Sequence, residues 1–204
     1  MKILKKLINK QRRIGLTGGI ASGKSTITDY IKTHKKIPIL DADHLSRELI
    51  KPNTIGYKKI LDYFGNQIID KDSPDKAINR KFLKKIIVEN KKDREWIQKF
   101  LHPLIKQKMI EECNNYKNNE IIILVIPLLF EAKFEDVCTE IWLVKCTVEN
   151  QIKRLIKRDK ISEKEAFKII NLQLNFEEKT KFSDVILDNS DDQNQWIHKI
   201  KELI

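Results

Sequence analysis

One segment near the start of the chain constrains the fold more than any other feature. Residues 18–25 read Gly-Gly-Ile-Ala-Ser-Gly-Lys-Ser, which is the complete Gly-x-x-x-x-Gly-Lys-Ser pattern of a phosphate-binding P-loop. The apolar run 13–17 before it predicts a β-strand, and residues 24–33 after it have the pattern of a helix. Glycines let backbone N–H groups approach phosphate oxygens closely, and the start of a helix adds the positive end of its dipole. The sequence therefore predicts a nucleoside triphosphate site in an α/β fold.

The residue types in this loop predict separate tasks. Lys24 carries an ammonium group that can reach the β- and γ-phosphates, and the Ser25 hydroxyl can ligate Mg²⁺. ATP and Mg²⁺ are therefore the expected cofactors, with Ser25 as the metal ligand. The predicted nucleotide-binding set in this region comprises Gly18, Gly19, Ala21, Ser22, Gly23, Lys24, Ser25 and Thr26.

Short apolar runs alternate with helical patterns along the rest of the chain, which is typical of a parallel sheet covered by helices. Further strands are predicted at 37–40, 121–126, 141–145 and 185–187. Helices are predicted at 43–50, 56–64, 79–89, 93–116, 148–158, 163–172 and 191–204. Pro103 is expected to kink the fourth of these helices or divide it in two. The predicted fold class is a three-layer α/β P-loop architecture, and the pattern leaves the strand order open.

We interpret the 204 residues as a single P-loop kinase domain. Its core is expected to comprise residues 13–43, 119–147 and 183–204, with a mainly helical insertion over 44–118.

Two carboxylates come directly after the second predicted strand. Asp41 and Asp43 lie where ligands bind in open α/β sheets, beyond the carboxyl ends of the strands. One of them can accept the proton of an acceptor hydroxyl, and the other can hold Mg²⁺ through water. The alternative is that Asp43 only caps the helix that starts at His44. Since Pro127 ends the third strand where many P-loop proteins carry a metal-binding aspartate, the sequence favours a small-molecule kinase over a GTPase or motor ATPase.

The net charge of +11 raises the question of nucleic acid as a partner. The lysines are spread along the whole chain, however, and aromatic residues are not interleaved with them in a stacking pattern. We therefore expect no nucleic-acid partner, and a basic surface equally suits small polyanionic substrates.

Two further features bear on location. The longest apolar run, 121–129, is far shorter than the roughly 20 residues of a membrane helix, and the basic start, 1–13, has no signal-peptide features. That start is expected to form a short amphipathic helix or a basic tail. The three cysteines lie far apart without metal-binding spacing, which indicates buried thiols in a reducing compartment. The sequence predicts a cytoplasmic protein with no membrane partner.

An ordered set of further motifs makes the chain resemble the dephospho-CoA kinase family. The set comprises 15–20 (Gly-Leu-Thr-Gly-Gly-Ile), 41–43 (Asp-Ala-Asp), 101–103 (Leu-His-Pro), 127–131 (Pro-Leu-Leu-Phe-Glu), 151–154 (Gln-Ile-Lys-Arg), 158–159 (Arg-Asp), 183–184 (Ser-Asp) and 188–189 (Asp-Asn). The resemblance implies transfer of the ATP γ-phosphoryl group to the ribose 3′-hydroxyl of dephospho-CoA, giving CoA and ADP, the last step of CoA biosynthesis. It also implies that the helical insertion binds the acceptor and that residues 148–174 form a lid. The sequence departs from the family at Ala21, where glycine is usual, and at Lys179, where arginine is frequent.

The resemblance assigns roles to several side chains. Asp43 matches the family's proposed catalytic base, and Lys24 and Arg154 complete the predicted catalytic set. Arg154 and Arg158 are four residues apart, so they share one face of a helix, which is either a lid surface that contacts the nucleotide or a solvated charged face. The predicted acceptor-binding residues are Asp41, Asp43, Arg47, His102 and Glu131.

Each acceptor residue also has a structural interpretation. Arg47 can form a surface salt bridge, and His102 can be a core histidine that hydrogen-bonds the helix near Pro103. The competing functions are a nucleoside or nucleotide kinase on the same fold, and a regulatory nucleic-acid binder that keeps an ATP site. The expected partners are ATP and dephospho-CoA, and the expected assembly state is a monomer or weak homo-oligomer.

Overall fold

A computed structural model of the chain describes residues 11–191 and 193–204. These residues form five strands: β1 (Arg12–Gly18), β2 (Ile39–Asp41), β3 (Ile121–Val125), β4 (Glu140–Lys145) and β5 (Val185–Asp188). The helices are α1 (Lys24–Lys35), α2 (Ala42–Leu49), α3 (Ile55–Phe64), α4 (Arg80–Glu89), α5 (Lys91–Asn115), α6 (Val148–Asp159), α7 (Glu163–Ile170), α8 (Phe176–Thr180) and α9 (Gln193–Leu203), with short 3-10 turns at Asn66–Ile68 and Glu135–Val137. The short helix or basic tail expected at the start, 1–13, lies outside the described residues for positions 1–10. At Arg12 and Arg13 the expectation was wrong, because both residues belong to β1.

The five strands form one parallel sheet in the order β2-β3-β1-β4-β5. Strand β1 lies between β3 and β4, so the chain changes direction across the sheet beside β1. Ligands of open α/β sheets bind at such a switch point, beyond the carboxyl ends of the strands. The fold therefore brings the P-loop, which follows β1, to the edge where a ligand is expected, and the predicted α/β class is confirmed.

The sheet strands are apolar on both faces because helices cover both. Ile14 and Leu16 of β1 are fully buried, and they belong to a core that includes Ile27 of α1 and Trp142 of β4. Trp196 of α9 joins the same core. The unbroken β-branched runs seen in the sequence are thus strands buried on both sides.

Contacts along the chain divide it into two compact units. The first contains the described residues up to Asp41 together with Glu112–Ile204, and it includes the whole sheet. The second, Ala42–Glu111, is helical and contains α2, α3, α4 and most of α5. Side-chain caps begin two of its helices: Thr54 accepts a hydrogen bond from the N–H of Tyr57, and Asn79 from the N–H of Phe82.

Apart from shifts in the ends of other elements, the structure differs from the expected elements in three places. Helix α5 runs through Pro103 and is not divided there, although proline removes one helical hydrogen bond. Helix α7 ends at Ile170, two residues early, and the N–H of Asn171 bonds back to its last turn. The short helix α8 was not predicted, because five residues give too little periodicity for a pattern; Asn175 caps it.

The predicted thiols are free, and Cys113 and Cys138 are buried as expected, whereas Cys146 is half-buried. In the part of the chain that the structure describes, no helix is long and apolar enough to cross a membrane.

Candidate active site

The P-loop follows β1 directly and ends at the first turn of α1. Gly23 precedes the helix with φ of 94°, in the left-handed region that glycine tolerates best. A side chain at this position would also meet the amide of Asn189, since a Cβ would lie 2.0 Å from its Nδ2 atom. Glycine is thus required here by both backbone angle and space.

Ala21 lies in the same region of backbone angles, with φ of 57°. This conformation costs an L-residue about 1–2 kcal/mol, which explains why glycine suits this position of the loop. The methyl group is accommodated, and the loop keeps its shape with a small strain at Ala21.

Lys24 folds back over the loop. Its Nζ atom donates to the carbonyl oxygens of Gly18 at 2.8 Å and Gly19 at 2.9 Å. The ammonium group is therefore held within the loop that precedes it, where charge on bound phosphates can replace the two carbonyls as its partners.

Three hydroxyl groups of the loop differ in their surroundings. The buried Oγ atom of Ser22 has no hydrogen-bond partner among the described residues. Ser25 and Thr26 are exposed in the first turn of α1, where their N–H groups face the end of the helix. A polar ligand at the loop would satisfy groups of this kind.

Arg154 of α6 lies against the loop. Its Nη1 atom is within hydrogen-bond distance of the Ser22 carbonyl (3.3 Å) and the Ala21 carbonyl (3.4 Å), and Nη2 donates to the Asn189 carbonyl at 3.1 Å. The Asn189 amide itself donates to Ser22 at 2.9 Å. The structure thus brings the predicted arginine to the loop, where it binds backbone carbonyls.

Arg158 is engaged by its neighbour. Its guanidinium makes two hydrogen bonds to the carboxylate of Asp159, at 2.7 and 3.2 Å. The hydrogen bond that Arg158 donates to Asp159 raises the pKa of Arg158, against the lowering effect of burial. Contact of Arg158 with a nucleotide stays a prediction.

The predicted carboxylates fall in different units. Asp41 was expected directly after the second strand, but it is the last residue of β2 itself. It pairs in register with Val125 of β3. Asp43 lies in the first turn of α2, in the second unit.

Glu131 is anchored within the first unit. Its Oε1 atom accepts a hydrogen bond from the N–H of Leu174 at 3.0 Å and lies 3.0 Å from Nζ of Lys179. The Lys179 side chain is 1% exposed, so this is a buried ion pair. The sequence indicated Lys179 only as a departure from arginine; its pairing with Glu131 depends on the fold. An acceptor role of Glu131 stays a prediction.

The second unit contains a pocket of about 520 Å³. Its lining combines cationic, apolar and polar side chains with one carboxylate, that of Asp75: Arg47, Ile50, Lys51, Pro52, Asn53, Asp75, Ala77, Ile78 and Arg80. Arg47 was predicted as an acceptor residue and does line the pocket. His102 is half-buried in α5 and does not line it.

Arg80 is the residue that sequence reasoning missed. It is the first residue of α4, after its cap Asn79, and only the fold brings it to the same pocket as Arg47. Burial and the charge of Arg47 lower the pKa of Arg80, whereas the charge of Asp43 raises it. Two like charges that are held together in a pocket favour an anionic ligand.

The metal ligand predicted from the sequence is Ser25. Among the described residues no group of three or more histidine, cysteine, aspartate or glutamate side chains could hold a metal ion. The hydroxyl of Ser25 is a hard oxygen donor at the end of the loop, which fits the preference of Mg²⁺ for few protein ligands, water and substrate phosphates.

The amino-acid sequence is similar to those of known proteins along nearly its whole length. A sequence model of the dephospho-CoA kinase family matches residues 12–195. A dephospho-CoA kinase of Prochlorococcus marinus (strain MIT 9312) is 74% identical over 205 residues, and the match covers 100% of both chains.

Two solved structures have the same fold. A dephospho-CoA kinase from Campylobacter jejuni is 27% identical with a TM-score of 0.66, covering 94% of this chain and 96% of that one. The protein TT1252 from Thermus thermophilus has a TM-score of 0.77 at 23% identity, covering 95% of this chain and 96% of its own.

Proposed function

The chain belongs to the dephospho-CoA kinase family, and from this premise we propose that Gly18–Ser25 binds ATP while the pocket with Arg47 and Arg80 binds the acceptor. The enzyme phosphorylates dephospho-CoA with ATP, the last step of CoA biosynthesis. The observation that carries the acceptor assignment is the pair of arginines at one pocket of the second unit.

The chemistry of the pocket matches that of dephospho-CoA, which joins a diphosphate to an uncharged pantetheine arm. Arg47 and Arg80 supply positive charge for the diphosphate, since bidentate guanidinium groups suit phosphate oxygens, whereas Lys51 is paired with Glu48 at 2.7 Å. Ile50 and Ile78 supply apolar wall for the arm. An anion between the two arginines also removes their mutual repulsion.

Asp43 is the proposed general base at the ribose 3′-hydroxyl. Two features support this role: its position two residues after the end of β2, and its electrostatic contact with Arg80 in the second unit. A carboxylate in hydrogen-bond reach of the hydroxyl takes its proton as the new bond from oxygen to the γ-phosphorus forms and the bond from that phosphorus to ADP breaks. Asp41, at the end of β2, remains the second proposed carboxylate.

Charge on the phosphates is offset by the chain's own cations. When phosphates bind, Lys24 exchanges the Gly18 and Gly19 carbonyls for phosphate oxygens. Arg154 lies against the carbonyls of Ala21 and Ser22 in the same loop. Ser25 is the residue that would hold Mg²⁺, and the bound ion would supply positive charge to offset that of the phosphates. Catalysis then rests on positioning and charge neutralisation.

Arg80→Gln and Arg47→Gln test the acceptor pocket. Loss of one charge-assisted contact of about 1.5–3 kcal/mol raises KM for dephospho-CoA roughly tenfold to a hundredfold, with KM for ATP nearly unchanged. Arg94→Gln is the matched control, because Arg94 lies in the same unit, does not line the pocket, and donates from its guanidinium to the Ile87 carbonyl. An unchanged KM for dephospho-CoA in both pocket variants would remove the pocket from the acceptor site.

Asp43→Asn tests the base. The amide keeps the size of the side chain but cannot take a proton, so kcat falls by at least about two orders of magnitude while ATP binding persists. Near-normal turnover would remove Asp43 from this role.

The proposal also includes the partners, the cellular compartment and the assembly state of the protein. The partners are the two small-molecule substrates and no nucleic acid, the compartment is the cytoplasm, and the protein acts as a monomer or weak homo-oligomer. Its three free thiols suit a reducing compartment. Light scattering during size-exclusion chromatography measures the assembly state directly.

A further inference from the structure

Two glutamines hold the peptide groups on either side of Ile20 in the P-loop. The N–H of Ile20 donates to Oε1 of Gln173 at 2.8 Å, and its carbonyl accepts from Nε2 of Gln151 at 2.7 Å. The next residue is Ala21, whose left-handed φ of 57° sets the direction of the loop. The orientation of both peptides is therefore fixed by side chains from outside the loop.

Gln151 comes from the first turn of α6 and is 7% exposed. It packs so closely on the loop that a Cβ at Gly19 would lie 2.3 Å from its Nε2 atom. Glycine at position 19 thus serves this contact, and not only the approach of a ligand.

Gln173 comes from the segment after α7, at the other end of residues 148–174. The residue that follows, Leu174, donates its N–H to Glu131, and Glu131 is paired with the buried Lys179. Gln173 is thereby held next to an anchored backbone, and both ends of the 148–174 segment meet at one residue of the loop.

From this arrangement we propose that Gln151 and Gln173 are positioning residues of the phosphate site. They orient the N–H and C=O groups around Ile20, and they couple the P-loop to the 148–174 segment that is proposed as the lid. Neither side chain needs to touch ATP, since each acts through the loop backbone. The proposal rests on ATP binding by the P-loop.

Methionine tests each contact, because it preserves the length of glutamine and removes its amide. We measure the Kd of Mg·ATP by calorimetry for Gln151→Met, Gln173→Met and the double variant. Each single change weakens binding roughly twofold to tenfold, as expected for one hydrogen bond. Because both glutamines hold the same residue, the double variant weakens binding by less than the product of the two factors.

Gln107→Met is the control, since the side chain of Gln107 is exposed and donates its amide N–H to Glu111. It leaves the Kd unchanged. Gln173 is half-buried, so its variant folds even if the change at the buried Gln151 impairs folding. A purely structural role would lower Tm and leave the Kd at the wild-type value.

Three results would overturn the proposal. The first is an unchanged Kd in Gln173→Met, and the second is strict additivity in the double variant, which would make the glutamines independent. The third is a wild-type chain that binds no ATP, which would refute the nucleotide site itself and is recognised by the wild-type titration alone.

Discussion

Two lysine–carboxylate pairs in the first unit have similar distances but different burial, so substitution of each lysine should have different effects on stability. Lys179 lies 3.0 Å from Glu131, with side chains 1% and 16% exposed. Lys145 lies 2.7 Å from Asp188, with side chains 44% and 34% exposed. If distance decided the contribution, the second pair would matter more; if burial decides, the first does.

Lys179→Met leaves the Glu131 carboxylate buried without its cation. Breaking a buried pair in this way costs about 3–5 kcal/mol. For a chain of this size each 1 kcal/mol lowers Tm by roughly 2–4 °C, so the expected decrease is roughly 6–20 °C. Lys145→Met is the matched control, and its Tm decrease is much smaller because water screens that pair.

Thermal unfolding followed by circular dichroism measures both variants. A double variant, Lys179→Met with Glu131→Gln, recovers much of the loss, because no charge is then left buried. Equal decreases in Tm for the two lysine variants would show that burial does not decide how much each pair contributes to stability. A double variant as unstable as Lys179→Met would show that the unpaired buried carboxylate is not the cause of the loss.

Three further changes have defined outcomes. Ala21→Gly relieves the strain at φ of 57° and raises Tm by about 1–4 °C in thermal unfolding, from a net gain of roughly 0.5–1 kcal/mol; a decrease would contradict the strain. Gly23→Ala forces its Cβ against the Asn189 amide and abolishes ATP binding in calorimetry, whereas wild-type affinity would show that the crowding is harmless. Burial raises the pKa of Asp188, but hydrogen bonds from Lys145 and Ser190 outweigh it and hold the pKa below the ordinary value. The stability from Asp188 is thus present above about pH 4 and is lost as the pH falls through the folded-state pKa, so Asp188→Asn has a flatter profile of Tm against acid pH; parallel profiles would contradict this.

The sheet and the loop could be predicted because their signals are local. A P-loop pattern between a strand and a helix specifies its own backbone, and the β-branched run 121–126 can only be a buried strand. Strand order depends on which strands pair, which periodicity does not encode. The short helix α8 also escaped prediction for want of periodicity.

The site was predictable only in part, for the same reason. Lys24 and Ser25 belong to one motif, so the sequence alone was enough to predict a role for them. Other proposed site residues contact partners that are distant in the sequence: Arg80 shares a pocket with Arg47, and Gln151 and Gln173 bond to Ile20. An arginine or a glutamine at these positions does not by itself predict such a contact. Gln151 stood in a family motif, but its role became apparent only when the fold brought it against Ile20.

The activity of this chain is transfer of the γ-phosphoryl group from ATP to dephospho-CoA. The most direct measurement follows ADP release with dephospho-CoA as acceptor and identifies the product by phosphorus NMR. We expect ADP release to depend on dephospho-CoA, with CoA formed in equal amount and carrying its new phosphate on the ribose 3′-oxygen. ADP release no higher than without an acceptor, or a preference for a nucleoside monophosphate as acceptor, would contradict the account.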